Sequence, residues 1–371
     1  MADDPRIHRL NEDDMRSSGR FVLYWMHRAQ RAAHNPALQH AVKLARQRDA
    51  SVLAIIALPR KLPDRYARHY AFMLEGLEFT REQLAGKNIK LVAQRADPVE
   101  LVSDLAGKAR AVVADGGYLR EERAWRASVA KTIDCPLDWV ETETVVPVET
   151  VSDKREYAAR TIRKKINQRR NEFIVAQRDR WPDKSSLPLH VKGDIDLSDA
   201  SRALDALSPD AKPGPVKRFR GGTDEARRHL SKFVREHLAG YAEARSDPSE
   251  PRVSLLSPYL NYGQISPIEV AARVRKARGP SNDDKEAFLE ELIVRRELAF
   301  NYAWFEPDYD SFDALPDWAR ETLSEHANDS RETTYSRQKL ESANTHDPYW
   351  NAAMNEMIAT GYMHNYMRMY W

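Results

Sequence analysis

Residues 51–58 read SVLAIIAL, and residues 109–115 read ARAVVAD. Both stretches are nearly continuous runs of apolar residues rich in β-branched side chains, a pattern typical of strands that are buried on both faces of a sheet. Similar runs occupy residues 21–26 (FVLYWM) and 88–94 (NIKLVAQ), and amphipathic helical patterns fill the sequence between successive runs. Strands that alternate with helices predict a parallel sheet covered by helices on both faces.

The first domain is therefore expected to be a doubly wound, Rossmann-like α/β domain over residues 1–150, with a last strand at 140–147. No GxGxxG pattern follows its first strand, so the sheet carries no dinucleotide-binding fingerprint. Asp115, Gly116 and Gly117 end one strand at the carboxyl edge, where sheets of this kind bind ligands. A turn that simply terminates the strand is the interpretation we favour for these three residues.

The remainder of the chain has a different pattern. Residues 151–221 contain a strongly basic stretch of helix-forming residues at 154–180, followed by a linker rich in Pro, Ser, Asp and Gly. The basic stretch predicts either a solvated helix face or a surface that contacts ligand phosphates. Only helical patterns occur from 222 to 371. The fold class is thus α/β plus all-α, with an α/β domain, a linker and an all-helical domain.

Composition and charge exclude several classes of protein. The chain has 371 residues, and 58 Lys and Arg oppose 56 Asp and Glu, so a net charge of +2 excludes a polycationic tail. The single Cys135 cannot form an internal disulfide or a thiolate cage for zinc, so we expect no metal. No apolar run is long enough to span a membrane. We expect a cytosolic protein.

The stretch VSLLSPYLNYGQISP at 253–267 has the features of a phosphate-binding loop. Ser254 and Ser257 precede Pro258, which is placed for the first turn of a helix, so hydroxyl groups and free backbone N–H groups would converge. An ordinary serine N-cap before proline is the alternative.

A long helical pattern, EAFLEELIVRRELAFNYAWF, covers residues 286–305. Glu291 and Arg295 are spaced four residues apart within it, an order that favours a surface ion pair. This pair is the simplest explanation of the two charges.

Three long strings lie in order along the chain: FVLYWMHRAQRAAHNPAL from residue 21, PDWARETLSEHANDSRETTYSRQKLE at 316–341, and THDPYWNAAMNEMIATGYMHNYMRMYW at 345–371. Together with the loop at 253–267, they resemble the class II cyclobutane pyrimidine dimer DNA photolyases of the photolyase and cryptochrome family. The resemblance covers essentially the whole chain. Asn365, where the family usually has Gly, affects only a local helix contact.

The resemblance implies light-driven repair of pyrimidine dimers in DNA, in which reduced FAD donates an electron to a dimer flipped out of the helix. It implies that FAD is held by Tyr241, Val253, Ser254, Leu255, Leu256 and Ser257. Glu291, or Glu290 if the register differs by one, would contact the dimer, and Met369 would pack on it. Arg245 would lie at the DNA side of the pocket, and Arg295 or Arg296 would approach the flavin or the DNA.

By the same resemblance, Trp350 and Trp371 match two tryptophans that carry electrons to the flavin. One continuous helix would hold them about 32 Å apart, at ~1.5 Å per residue, which is too far for direct transfer. We therefore expect the helix to break at Gly361, where glycine permits a change of direction.

The resemblance also bears on a second chromophore and on the end of the chain. A deazaflavin-type antenna chromophore is compatible with the family. Family members continue beyond the position of Trp371, so the chain is expected to be truncated within a helix and to hold FAD weakly. A cryptochrome-like photoreceptor and an inactive truncated photolyase fragment are the alternatives to a repair enzyme.

Overall fold

The protein is described by a computed structural model over residues 4–59, 65–175 and 177–370. Its amino-terminal half contains one six-stranded sheet in the order β1-β6-β5-β2-β3-β4. The strands are β1 (Ile7–Arg9), β2 (Phe21–Trp25), β3 (Ser51–Ala57), β4 (Lys90–Gln94), β5 (Ala109–Asp115) and β6 (Leu137–Val140). Every pair in the sheet is parallel except β1 with β6, which adds one antiparallel edge strand. The four strands expected from the apolar runs are confirmed, together with the parallel α/β architecture.

Helices cover both faces of this sheet. They are α1 (Pro36–Gln47), α2 (Ala67–Ala85), α3 (Pro98–Ala106) and α4 (Arg120–Thr132). Alternate residues of β2 belong to two separate apolar clusters: Val22 and Tyr24 pack with residues of α1 and α2, whereas Phe21 and Leu23 pack with residues of α3 and α4. Since successive strand side chains point to opposite faces, both faces are buried, which explains the continuous apolar runs in the sequence.

The prediction of a strand at 140–147 is wrong. The last strand ends at Val140, residues 141–146 form no regular structure, and a short helix α5 (Val148–Val151) follows. Arg6 donates hydrogen bonds to three backbone carbonyl groups within 141–146. Glu297 accepts hydrogen bonds from two backbone N–H groups in the same segment. Side chains therefore satisfy the buried backbone groups that a neighbouring strand would otherwise bind.

The segment between sheet and helical region contains two helices, α6 (Ala159–Phe173) and α7 (Ala200–Leu207). Helix α6 covers the central part of the basic stretch and buries Ile162 and Ile166. Arg170 of this helix pairs with Glu286 over 2.7 Å, so part of the positive charge joins α6 to the helical region. Helix α7 packs on α2 and contributes to the apolar cluster on one face of the sheet.

The described part of residues 222–370 contains helices and no β-strand. The α-helices are α8 (Thr223–Lys232), α9 (Tyr241–Ala244), α10 (Ser257–Asn261), α11 (Pro267–Arg275), α12 (Asn282–Leu289), α13 (Arg296–Phe305), α14 (Asp317–Glu325), α15 (Arg337–Glu341), α16 (Pro348–Thr360) and α17 (Asn365–Tyr370). Two π-helical turns, Phe233–His237 and Glu290–Arg295, and a short 3₁₀ turn, Phe312–Ala314, complete the region.

The expected break at Gly361 is confirmed. Helix α16 ends at Thr360, and Gly361 follows in the left-handed region with a φ of 75°. A Cβ atom at this position would lie 3.3 Å from Val216, so glycine suits both the backbone conformation and the available space. No helix in the described ranges combines the length and apolar character needed to cross a membrane.

Candidate functional site

The π-helical turn Glu290–Arg295 positions two acidic side chains differently from a regular helix. A π-helix has i→i+5 hydrogen bonds, so side chains five residues apart come close instead of those four apart. Accordingly, Arg295 Nε lies 3.6 Å from Glu290 Oε1. The surface pair between Glu291 and Arg295 that a regular helix predicts is not formed, because Arg295 is paired with Glu290. Turns of this type are frequent at functional sites.

Glu291 is instead paired with Arg245, the residue that caps α9. Arg245 Nη1 donates to Glu291 Oε1 over 2.7 Å. The side chains of Arg245 and Glu291 are 36% and 35% exposed, so the pair is accessible from solvent. A carboxylate and a guanidinium in this position can both form hydrogen bonds with a ligand that approaches from outside.

Glu290 has a different environment from Glu291. Arg163 of α6 donates three hydrogen bonds to the Glu290 carboxylate, at 2.7 to 3.1 Å. Together with Arg295, this arginine surrounds Glu290 and joins α6 to the π-helical turn. Of the two adjacent glutamates, Glu291 is the more exposed, and Glu290 joins α6 to the π-helical turn.

Tyr241 lies beside the ion pair and is buried in an aromatic cluster. Its ring centroid is 5.6 Å from that of Phe233 and 5.5 Å from that of Phe288. Burial, together with the negative charge of Glu291, raises the pKa of Tyr241 to about 12. The phenol is therefore neutral at physiological pH, close enough to Glu291 to be influenced by its charge.

Asp284 of α12 holds the segment that carries Tyr241 and Arg245. Its Oδ1 accepts a hydrogen bond from the backbone N–H of Ala242 over 3.0 Å. Its Oδ2 accepts from the backbone N–H and hydroxyl of Ser281 at the start of α12. This buried carboxylate thus fastens the α9 segment to α12. The pattern of apolar residues contained no signal for this contact.

The loop at 253–257 leads into α10 in an unusual backbone conformation. Leu255 has a φ of 56°, a left-handed conformation that is rare for leucine. The Ser254 hydroxyl accepts a hydrogen bond from the N–H of Leu256 over 3.4 Å, and Ser257 is exposed at the first position of α10. Strain of this kind is concentrated at ligand sites, where the surrounding structure imposes it.

Tyr241, Leu255 and Leu256, three of the expected cofactor ligands, belong to the same large apolar cluster of the helical region. Val253 is only half-buried. A strained loop with serine hydroxyls, in the same apolar cluster as a buried tyrosine, fits a flavin dinucleotide, whose diphosphate requires hydrogen-bond donors and whose ring systems require apolar surface.

The other expected site residues lie elsewhere on the chain. The indole N–H of Trp350 in α16 donates to the carbonyl group of Leu340 over 3.1 Å. Met369 in α17 is 67% exposed. Trp371 lies outside the described residues. His364, between α16 and α17, lies beside the backbone of Arg245. Burial lowers the pKa of His364, and the nearby backbone of Arg245 offsets part of the decrease.

Arg296 is not available to a ligand, contrary to one expectation. It donates to the backbone carbonyl of Glu143, and its guanidinium lies over the ring of Phe300 at 4.7 Å. Arg296 therefore binds the helical region to the segment after β6, whereas Arg295 is more than half exposed.

Glu297 is the most strongly perturbed carboxyl group near this contact. Its Oε1 accepts from the N–H of Val145 over 2.5 Å, and its Oε2 from the N–H of Val146 over 3.3 Å. Burial raises the pKa of Glu297 to about 8, even though these hydrogen bonds and the Arg296 and Arg6 guanidinium groups favour the charged form. The pattern of apolar residues contained no signal for this buried acid.

Asp115 at the end of β5 has a structural role in this molecule. One carboxylate oxygen accepts hydrogen bonds from the N–H groups of His27 and Arg28, and the other accepts from Tyr24 and Ala29. These bonds hold the segment that follows β2 against the end of β5. In the described ranges, no group of three or more His, Cys, Asp or Glu side chains is arranged to hold a metal ion.

Comparisons with known proteins agree with this fold. Residues 22–184 match the family model of DNA photolyase. The chain is 41% identical over 367 residues to the deoxyribodipyrimidine photo-lyase of Methanothermobacter thermautotrophicus, with 99% of this chain and 80% of that relative aligned.

Solved structures show the same fold. A class III photolyase from Agrobacterium tumefaciens has a TM-score of 0.70 at 21% identity, covering 95% of this chain and 71% of that one. An archaeal photolyase from Sulfolobus tokodaii, solved with two FAD molecules, has a TM-score of 0.68 at 18% identity, covering 94% and 73%. At this level of identity the two structures bear on the fold alone. The identity with the Methanothermobacter enzyme extends over nearly the whole chain, and this protein therefore belongs to the DNA photolyase family.

Proposed function

We propose that this protein is a deoxyribodipyrimidine photo-lyase that repairs cyclobutane pyrimidine dimers in DNA in a light-dependent reaction. The observation that carries this proposal is the 41% identity with an enzyme of that name over 367 residues. The accessible Arg245–Glu291 pair beside Tyr241 gives the proposal a defined site. The motifs at 21–38, 316–341 and 345–371 support assignment to class II of the family.

FAD is the cofactor that the family implies, and when bound it supplies light-driven electron donation to the dimer. The residues that would hold it are Tyr241, Val253, Ser254, Leu255, Leu256 and Ser257. Serine hydroxyls and backbone N–H groups of the strained loop would bind the diphosphate. Buried Tyr241 and Leu256 would exclude water from the ring systems of the cofactor.

Glu291 and Arg245 would bind the flipped-out dimer. Pyrimidine rings present carbonyl oxygens and N–H groups on their edges, and the guanidinium of Arg245 can donate to the oxygens while the carboxylate of Glu291 accepts from N–H groups. Arg245 also holds Glu291 in one orientation before DNA binds, which reduces the conformational entropy that the Glu291 side chain loses on binding.

The remaining site residues have proposed roles at the periphery. Met369, exposed on α17, would pack on the dimer, and Arg295 would contact the DNA backbone. Trp350 and Trp371 would pass electrons to the flavin, a role for which the break at Gly361 removes the restriction of one straight helix.

Further features of the enzyme belong to the same proposal. We infer a monomer in the cytosol, or in the nucleus of a eukaryotic cell, with domains at 1–150 and 222–371 and a linker at 151–221. A deazaflavin-type antenna chromophore would bind the α/β domain. DNA that contains pyrimidine dimers is the substrate.

The test is repair of an oligonucleotide that carries one thymine dimer, incubated with the purified protein and reduced FAD under near-ultraviolet light. Recovery of intact thymines in the light, and none in a matched dark sample, supports the proposal. Flavin binding without repair would contradict it and favour a photoreceptor. A protein that neither binds flavin nor repairs DNA would contradict both and favour an inactive fragment.

A further inference from the structure

A cavity of about 380 Å³ lies beside α8, outside the Tyr241–Arg245–Glu291 site. Five cationic side chains line it: Lys217, Arg218, Arg220, Arg228 and Lys232. One carboxylate, Glu225, and one imidazole, His229, complete the lining. We refer to this cavity as the basic cavity.

Only part of this positive charge is neutralised. Glu225 pairs with Arg228, and Glu356 of α16 pairs with Arg218 over 3.2 Å. Within the described part of the chain, no carboxylate oxygen lies within 4 Å of the charged nitrogens of Lys217, Arg220 or Lys232. Three cations that form no ion pair within 4 Å therefore line one concave surface, and the carboxylates of Glu75 and Glu236 interact with Arg220 and Lys232 only at longer range. The total net charge of the chain is only +2.

The positions of these cations follow from the local structure. Glu225, Arg228, His229 and Lys232 are spaced at three and four residues along α8, so they share one face of the helix. The other cations belong to the segment that enters α8. The backbone carbonyl of Arg220 in that segment accepts a hydrogen bond from the Tyr259 hydroxyl over 2.9 Å, which fixes the segment against the helical region.

Two side chains in the wall of the cavity are held in place by aromatic contacts. The Arg218 guanidinium lies over the ring of Tyr362 at 4.4 Å. The imidazole of His229 lies between the rings of Phe219 and Tyr259, with centroid distances of 6.3 and 5.5 Å. Burial lowers the pKa of His229, and the nearby cations lower it further, so the ring is neutral and offers one hydrogen bond without adding charge.

We propose that the basic cavity binds a phosphate group at a site separate from that of the pyrimidine dimer. Lysine and arginine side chains are the usual ligands of phosphate, and arginine can bind two of its oxygens at once. An anion would offset the mutual repulsion of the three unpaired cations. The phosphate is either a phosphodiester of the DNA substrate, in which case the inference rests on the proposed function, or free inorganic phosphate.

The experiment compares the full-length protein with the double variant Lys217→Gln and Lys232→Gln. The matched control is Lys108→Gln with Lys131→Gln, which removes two exposed lysines of the α/β domain that have no ion-pair partner in the described residues. Inorganic phosphate is titrated by calorimetry at low ionic strength. We expect the cavity variant to bind phosphate about tenfold more weakly than the wild type and the control.

The same three proteins are then titrated with an undamaged and a dimer-containing duplex over a range of salt concentrations. If the phosphate comes from DNA, the slope of log affinity against log salt becomes smaller in magnitude by about two in the cavity variant, for both duplexes, because two cations no longer displace counterions. If free phosphate is the ligand, the slopes of all three proteins agree while the phosphate affinities differ. Either result supports a phosphate site.

Equal phosphate affinity and equal salt slopes in the cavity variant and the control would overturn the inference. A lower FAD content in the cavity variant alone, with no change in phosphate or DNA binding, would also overturn it. Phosphate binding by a wild-type protein that shows no light-dependent repair would contradict the proposed function and leave this inference intact.

Discussion

Arg245 and Glu291 are 46 positions apart in sequence and share a hydrogen bond of 2.7 Å between Nη1 and Oε1. This contact depends on the π-helical turn Glu290–Arg295, which pairs Arg295 with Glu290 and leaves Glu291 for Arg245. The two neighbouring glutamates are thereby separated into a structural residue and a residue accessible to a ligand. The first prediction concerns this separation.

Glu291→Gln is expected to reduce the yield of dimer repair by about 10- to 100-fold, while the affinity for dimer-containing DNA falls much less. Glutamine keeps the volume and a hydrogen-bonding amide but loses the carboxyl group. Repair yield under continuous light and DNA affinity in the dark are the two measurements. Glu290→Gln is the matched control. It weakens the contact with Arg163, so it should lower the stability of the fold while changing the repair yield little. Equal losses of repair and affinity in Glu291→Gln would reduce Glu291 to a binding residue.

Asp284→Asn is expected to weaken dimer binding indirectly, because it displaces the segment that carries Arg245. Asp284 forms no hydrogen bond with Arg245 itself among the described residues. The amide cannot accept as strongly from the N–H of Ala242 and from Ser281, so the α9 segment loosens, and unfolding becomes easier by about 1 kcal/mol. Dimer affinity should fall while repair at saturating DNA changes little. Asp283→Asn, on the exposed side of the same helical turn, serves as control. Unchanged dimer affinity in Asp284→Asn would remove its positioning role.

Glu297 should make stability depend on pH. Its pKa in the folded protein, about 8, lies above its ordinary value of 4.5, so the folded state retains a proton that the unfolded state has lost between these pH values. Stability from this group is therefore fully present below pH 4.5 and decreases as pH rises toward 8, by at most about 1.4 kcal/mol per unit.

Glu297→Gln removes this titration. Chemical denaturation measures the unfolding free energy of the wild type and the variant. The wild-type value should be the larger at pH 5, and this advantage should decrease as the pH is raised to 8. Glu121→Gln, at an exposed position on α4, should show no such shift. A difference that is constant from pH 5 to pH 8 would show that Glu297 does not titrate in this range.

Trp350→Phe is expected to separate electron transfer from packing. Phenylalanine fills similar space but loses the hydrogen bond to Leu340, which should lower the unfolding free energy by about 1 kcal/mol. If Trp350 passes electrons, photoreduction of bound oxidised flavin should fall sharply, whereas repair by chemically reduced enzyme should persist. Absorbance of the flavin during illumination measures the first quantity. Normal photoreduction in the variant would leave Trp350 with a structural role only.

Much of the fold could be predicted because it depends on short-range patterns. The apolar runs at 21–26, 51–58, 88–94 and 109–115 predicted four parallel strands, and the positive φ of Gly361 agrees with the expected end of a helix. The prediction of a strand at 140–147 was wrong because the backbone groups of this segment bind side chains that come from distant parts of the chain. Tyr241 and Arg245 were selected by resemblance, and their roles as ligands of FAD and DNA remain predictions.

The amino-acid sequence by itself determined the α/β and all-helical halves, the position of the helix break and the family, since periodicity and long motifs are properties of neighbouring residues. Tertiary structure alone decided which glutamate pairs with Arg245, where Arg296 and Glu297 are buried, and how five cations surround one cavity. Apolar periodicity specifies which face of a helix or strand is buried, but it does not specify which polar groups will form contacts at that face. The partners of Arg245 and Arg296 lie 46 and 153 positions away, and only the packed chain brings them together.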